Sequence, residues 1–163
     1  VVEVWRLVIG GDGVPLFSDK HPFKDGVYSN IMAPGLHFNQ AALEKVSEAI
    51  RNFVAPNGLR YFARPRLVVV PIHLEFIAHR LFEEPDIQAK YPQGYCVLDF
   101  LDDPDAWYVM STLHGLVHLD KQPFQLDLSI QDGRLVLEGS QSYGVGYNNP
   151  RAIFGVFPES DKR

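Results

Sequence analysis

Pro65-Arg66-Leu67-Val68-Val69-Val70-Pro71 is the stretch on which the fold turns. A strand with one solvated face alternates apolar and polar residues. A continuous branched run between two prolines instead reads as a strand buried on both faces, of the kind found in the centre of a layered sheet. Pro71 suits the first turn of a helix, where a missing N–H costs nothing, and IHLEFIAHRLF (72–82) follows. Leu74, Ile77, Ala78 and Leu81 share one face of that helix, and Pro85 is expected to end it. Upstream, NQAALEKVSEAIRNFV (39–54) places Leu43, Val46, Ile50 and Phe53 at spacings of three and four, with Asn39 as N-cap and Pro56-Asn57-Gly58 as the stop. Residues 67–70 are expected to pack between these two helices, so that Val69 is buried.

Further outward the pattern becomes β-like. Val2–Ile9 reads as a strand or the end of a helix, and Gly10-Gly11-Asp12-Gly13 breaks it. Residues 14–38 carry Pro15, Pro22, Gly26 and Pro34-Gly35 with little periodicity and read as a long irregular loop, a type of segment that commonly serves function or lies against a partner. Tyr95–Leu101 is an apolar patch, Asp102-Asp103-Pro104-Asp105 an acidic turn, and Ala106–Met110 a short strand. Phe124, Leu126, Leu128 and Ile130 alternate with polar residues, Asp132-Gly133 makes a hairpin turn, and Leu135 and Leu137 alternate on the return. Arg151–Phe157 reads as a final strand. The order predicts one α+β domain over 1–163, with a core at 39–110 and a β-rich part at 116–163.

Composition narrows the function classes. With 46% apolar and 21% charged residues the chain of 163 residues is globular, and its net charge of −5 argues against a sequence-independent nucleic-acid binder. Cys96 is the single cysteine, which excludes an intramolecular disulfide and a multi-thiolate zinc site. No 18-residue apolar run exists to span a membrane, and VVEVWRLVIG lacks the layout of a signal peptide.

Candidate chemistry is sparse. His114 and His118 have the four-residue spacing of a helical metal pair, but Gly115 and Val117 favour a strand or loop and the zincin glutamate is absent. His73 and His79, six apart, fall on different helix faces. Ser18-Asp19-Lys20-His21 offers catalytic residue types, yet sequence neighbours seldom reach triad geometry. Cys96 lies in an apolar run and reads as an inert thiol. Neither GGDG (10–13) nor SYGVGYN (142–148) opens a helix as a phosphate loop does. The expectation is no catalytic residue, no metal and no cofactor; a small hydrolase using His21 or His114/His118 is the alternative from another class.

Several segments in order resemble the major head (capsid) subunit of Mu-like tailed phages and prophages: GDGVPLFSDKHPFKDGVYSN (11–30), FNQAALEKVSEAIRNFVAPNGLRYFARPRLVVVP (38–71), HLEFIAHRLF (73–82), DDPDAWYVM (102–110) and YGVGYNNPRAIFGV (143–156). The resemblance implies the tailed-phage capsid (Johnson) fold, shared with encapsulins, with an axial domain and a peripheral domain of long spine helix and long β-sheet. It implies copies of itself in hexamers and pentamers as partners, with scaffold or decoration proteins, and packaged DNA held through weak non-specific contact. It also implies assembly in the bacterial host cytoplasm into a virion, with no catalysis. The family's N-arm, extended loop and spine helix are not recognisable here, so the match is to an axial domain plus part of the peripheral one. Asn149-Pro150-Arg151 also stands where the family carries aromatics. A non-viral encapsulin-like shell protein is the further alternative. Residues 14–38 and the strands from 124 to 157 are expected to expose apolar side chains to neighbouring copies, with Phe17, Phe23, Tyr28, Tyr143 and Tyr147 as interface candidates.

Overall fold

A computed structural model describes residues 8–23, 26–55 and 58–158, without the Phe23 side chain. All but Val8 and Ile9 of the strand expected at 2–9 therefore lies outside the described residues. The elements are β1 (His21–Phe23), β2 (Gly26–Tyr28), β3 (Ile31–Met32), α1 (Gln40–Arg51), β4 (Pro65–Pro71), α2 (Glu75–Leu81), α3 (Pro85–Lys90), β5 (Tyr95–Leu98), β6 (Trp107–Ser111), β7 (Leu116–Gln131), β8 (Arg134–Tyr147) and β9 (Ile153–Val156). The chain is thus a mixed α+β protein.

Five strands form the body sheet in the order β3-β9-β6-β4-β5. β6 sits at its centre, antiparallel to both β9 and β4, and β4 runs parallel to β5. Trp107, Tyr108 and Val109 of β6 are fully buried, and the Trp107 indole donates to the Leu36 carbonyl at 3.0 Å. β4 is buried on both faces as expected, but one place off centre.

The two faces of β4 meet different partners. Val68 and Val70 pack with Leu43, Val46 and Ile50 of α1 and with Ala78 of α2. Val69 points the other way, to Leu16, Phe17, Leu101, Tyr108 and Ile153. Both helices therefore lie on one side of the sheet, correcting the expectation that β4 runs between them. The opposite side is closed by the chain around residue 16, whose apolar pair Leu16-Phe17 carries no periodic signal.

Local chemistry explains the helix ends. Asn39 accepts from the Ala42 N–H at 2.9 Å and caps α1. α1 stops at Arg51, three residues short of the expected 54, and Phe53 still reaches the core from beyond the helix. After Pro71 a short 3-10 turn (Ile72–Leu74) precedes α2. Pro85 does not end α2; it opens α3, because a proline without an N–H fits a first turn as well as it breaks a last one. α3 brings Ile87 into the core, and Tyr91 just beyond it donates to the Leu43 carbonyl at 2.9 Å.

The segment 14–38 is less irregular than expected. β1 and β2 form a small antiparallel pair, and β3 joins the body sheet beside β9. Arg151 and Ala152 belong to a 3-10 turn, so the last strand begins at Ile153.

β7 and β8 pair only with each other, from Leu116↔Tyr147 to Gln131↔Arg134. Sixteen residues of β7 at roughly 3.3 Å each make a ribbon about 50 Å long. Its turn is Asp132-Gly133, with φ of 50° and 73°. That left-handed pair matches the twist of the two strands and explains why Asp-Gly stands there. Pro123 falls where the β7 register shifts, between Gln122 and Gln125, so its missing N–H leaves no rung unmade. Among the described residues, no helix is long and apolar enough to cross a membrane.

Candidate functional site

The ribbon presents one apolar face. Leu128 opposes Leu137 and Ile130 opposes Leu135, so all four side chains point to the same side. Leu126 lies opposite Gly139, and the Phe124 ring covers that glycine. Strand alternation carries the face on through Tyr143 and Val145 to Tyr147 at the base. Phe124, Leu126, Leu128, Ile130, Leu135 and Leu137 are all 58–76% exposed. The opposite side carries Asp127, Ser129, Glu138 and Ser140. This is the alternation of a strand with one buried face, and within the chain nothing described buries it. Tyr143, an expected interface residue, lies on this face, exposed and stacked on His118 at 5.4 Å.

Phe17 and Tyr147 take a different role from the one expected of them. Phe17 is a core residue, packed on Tyr108 and Phe157 at ring distances of 5.2 and 5.5 Å. Tyr147 is buried where the ribbon joins the body, its ring so close to Gly10 that a Cβ there would overlap it. Both lie inside the chain and expose almost nothing to a neighbour. Tyr28 is half-buried, its ring against His21 at 5.1 Å and under the Arg151 guanidinium at 3.8 Å. Burial raises the Tyr28 hydroxyl pKa well above its usual value, against the opposing pull of Arg151.

These rings surround a buried polar hub that holds the ribbon to the body. The Gly10–Gly13 turn delivers Asp12, whose Oδ2 lies 2.7 Å from His21 Nδ1 and whose Oδ1 accepts from the Tyr147 hydroxyl at 2.9 Å. The Val14 carbonyl also lies within hydrogen-bond reach of this hydroxyl, so the single phenolic proton is shared between the two acceptors. Asn30 is fully buried; the carbonyls of Leu16, Pro150 and Ile153 stand 2.7, 3.1 and 3.3 Å from its Nδ2 and share its two amide protons, and its Oδ1 accepts from the Ser18 N–H. His21 Nε2 faces only acceptors, Leu16 O at 3.2 Å and Asn30 Oδ1 at 3.3 Å. Burial works to raise the Asp12 pKa, but the hydrogen bonds from His21, Tyr147 and the Val14 N–H outweigh it and hold the carboxyl below its ordinary range. Burial and the Asp12 contact push the Tyr147 hydroxyl up to about 12.

The hub uses catalytic residue types as a clamp. Both His21 nitrogens are engaged by protein groups and the ring is fully buried, so it faces no nucleophile and no open space. Ser18, singled out with His21, instead receives the Lys20 N–H on its hydroxyl in a local turn. His114 lies in the loop before β7 and His118 within the strand, so their spacing does not produce a helical pair. His118 approaches Asp120 at 3.7 Å on the surface, and no group of three metal-ligating side chains occurs among the described residues. Cys96 is half-buried in the edge strand β5. Asp12, Asn30 and Arg151 went unread in the sequence because their partners are up to 135 positions away. No protein-family profile matches the chain, and no curated protein matches it.

Proposed function

We propose that the protein is a structural subunit of a closed shell, the head of a tailed phage, which joins copies of itself in hexamers and pentamers around packaged DNA. The observation that carries this reading is the uncovered apolar face of the ribbon. A lone two-stranded hairpin is at best marginally stable in water. Six large apolar side chains on one face add a further penalty that only a partner removes. Burying what those six expose is worth on the order of 5–10 kcal/mol before the cost of association, a substantial contribution toward assembly.

The division of labour supports the same reading. A body of sheet and helices beside a long β-ribbon parallels the axial and peripheral parts that the resemblance implies. The polar hub ties the base of the ribbon to the body through the Tyr147 hydroxyl. The acidic chain suits a container that encloses DNA without gripping it, since tight non-specific binding needs a basic surface. The reading assigns no catalysis and no cofactor, and places the assembled protein in the virion after assembly in the host cytoplasm.

Intact mass and negative-stain microscopy of the protein from its native source test this. Rings of five or six subunits, or closed shells, are expected. A monodisperse monomer across all salt and scaffold conditions overturns it.

A further inference from the structure

Opposite ends of the body sheet carry opposite charge. Where β4 begins, a groove of about 700 Å³ opens between α1, α3 and Thr112. Its wall includes Leu43, Pro65 and Ile87, and its rim carries Arg51, Arg64 and Lys90 beside Glu44 and Asp86. The three cations are exposed, and none of them is in an ion pair among the described residues. Arg60 and Arg66 flank this end of β4, while from 91 to 120 the chain contains no lysine or arginine.

At the other end, β5 stops at Leu98, level with Pro71 at the far end of β4, and leads into the acidic turn. Leu101 is buried and anchors this turn. The Asp103 carboxylate accepts from the N–H groups of Asp105 and Ala106 at 3.1 and 3.2 Å, which fixes its shape. Asp99, Phe100 and Asp102 are thereby held outward, with Phe100 57% exposed.

We infer that the acidic turn of one copy seats in the cationic groove of the next, with Phe100 against the apolar wall and Asp99 and Asp102 on the arginine and lysine rim. An aromatic anchor ringed by charge is the common form of an interface hot spot. Turn and groove lie about 20 Å apart along the strands of one chain, so a turn does not reach its own groove. The contact is head-to-tail, the kind that closes into rings when the rotation per subunit allows. It rests on the shell reading and names one of its contacts.

Sedimentation velocity on the 163-residue chain tests it with two charge-reversed variants, R51E/R64E/K90E and D99K/D102K. The wild type is expected to self-associate more strongly as salt falls. Each variant alone should associate about tenfold more weakly or worse, and their equimolar mixture should recover association, because reversed turn meets reversed groove. Far-UV circular dichroism checks that both fold. Phe100→Ser, which leaves the charges intact, should weaken association to a similar degree. Variants that associate as the wild type does, or a mixture that recovers nothing, overturn the contact. If native protein forms shells while the turn and groove variants change nothing, the contact fails and the shell reading stands. If neither native protein nor this chain associates, both fall.

Discussion

Two regions of this molecule use the same strand chemistry to opposite ends. β4 and the ribbon both place branched and leucine side chains along a strand. In β4 every position from Val68 to Val70 is covered, on one side by three helices and on the other by Leu16, Phe17 and Tyr108. In the ribbon the leucines of β7 and β8 face solvent along their whole length. The difference lies in what stands opposite, not in the strands themselves. A buried face in the body stabilises the monomer; an equivalent face on the ribbon stabilises only a complex.

The sharpest way to break this contrast is to place the same charge in both regions. Val69→Asp puts an unpaired carboxylate in the body core and should cost about 3–5 kcal/mol, read as a lowered midpoint in urea. Leu128→Asp on the ribbon should change monomer stability by less than about 0.5 kcal/mol while abolishing assembly. Equal losses from the two would show that the ribbon is as much core as β4.

A second test addresses the junction. Asn30→Ala removes the two buried amide protons shared among the carbonyls of Leu16, Pro150 and Ile153 and the acceptor of the Ser18 N–H, and should cost about 2–4 kcal/mol. Hydrogen exchange should accelerate at the ribbon base and through β9, with α1 least affected.

The hub also sets a pH signature that the ribbon lacks. The folded-state pKa of Asp12 is depressed, so its contribution is present above the usual carboxylate value of 3.8 and is lost as pH falls through the folded value. Tyr147 is raised to about 12, so its contribution is present below 10 and is lost as pH climbs toward 12. Thermal melts across pH should show both limbs. Asp12→Asn should flatten the acid limb, and an unchanged acid limb would remove Asp12 from the account.

The smallest expected effect is at the ribbon tip. Gly133 has φ of 73°, and Gly133→Ala should cost about 1 kcal/mol. The loss should be confined to ribbon amides in hydrogen exchange, because the ribbon pairs with no other strand.

The sequence alone determined the elements whose causes are local. The 3–4 spacing and Asn39 marked α1, two prolines framed β4, and Asp132-Gly133 marked the ribbon turn, because caps, φ limits and periodicity act over a few residues. It also revealed the apolar alternation of β7 and β8. What only the tertiary structure decided was which surface each apolar face meets. Val69 is buried against residues 16 and 17, not against a helix. Phe17 and Tyr147 are interior, while Leu128 and Ile130 are bare. The hub draws Asp12, His21 and Asn30 from one irregular stretch and Tyr147 from a strand 135 positions beyond Asp12, and no pattern within either signals the other. Periodicity tells that a strand has an apolar side, but burial depends on which other part of the chain arrives there, and that is set by the packing of the whole.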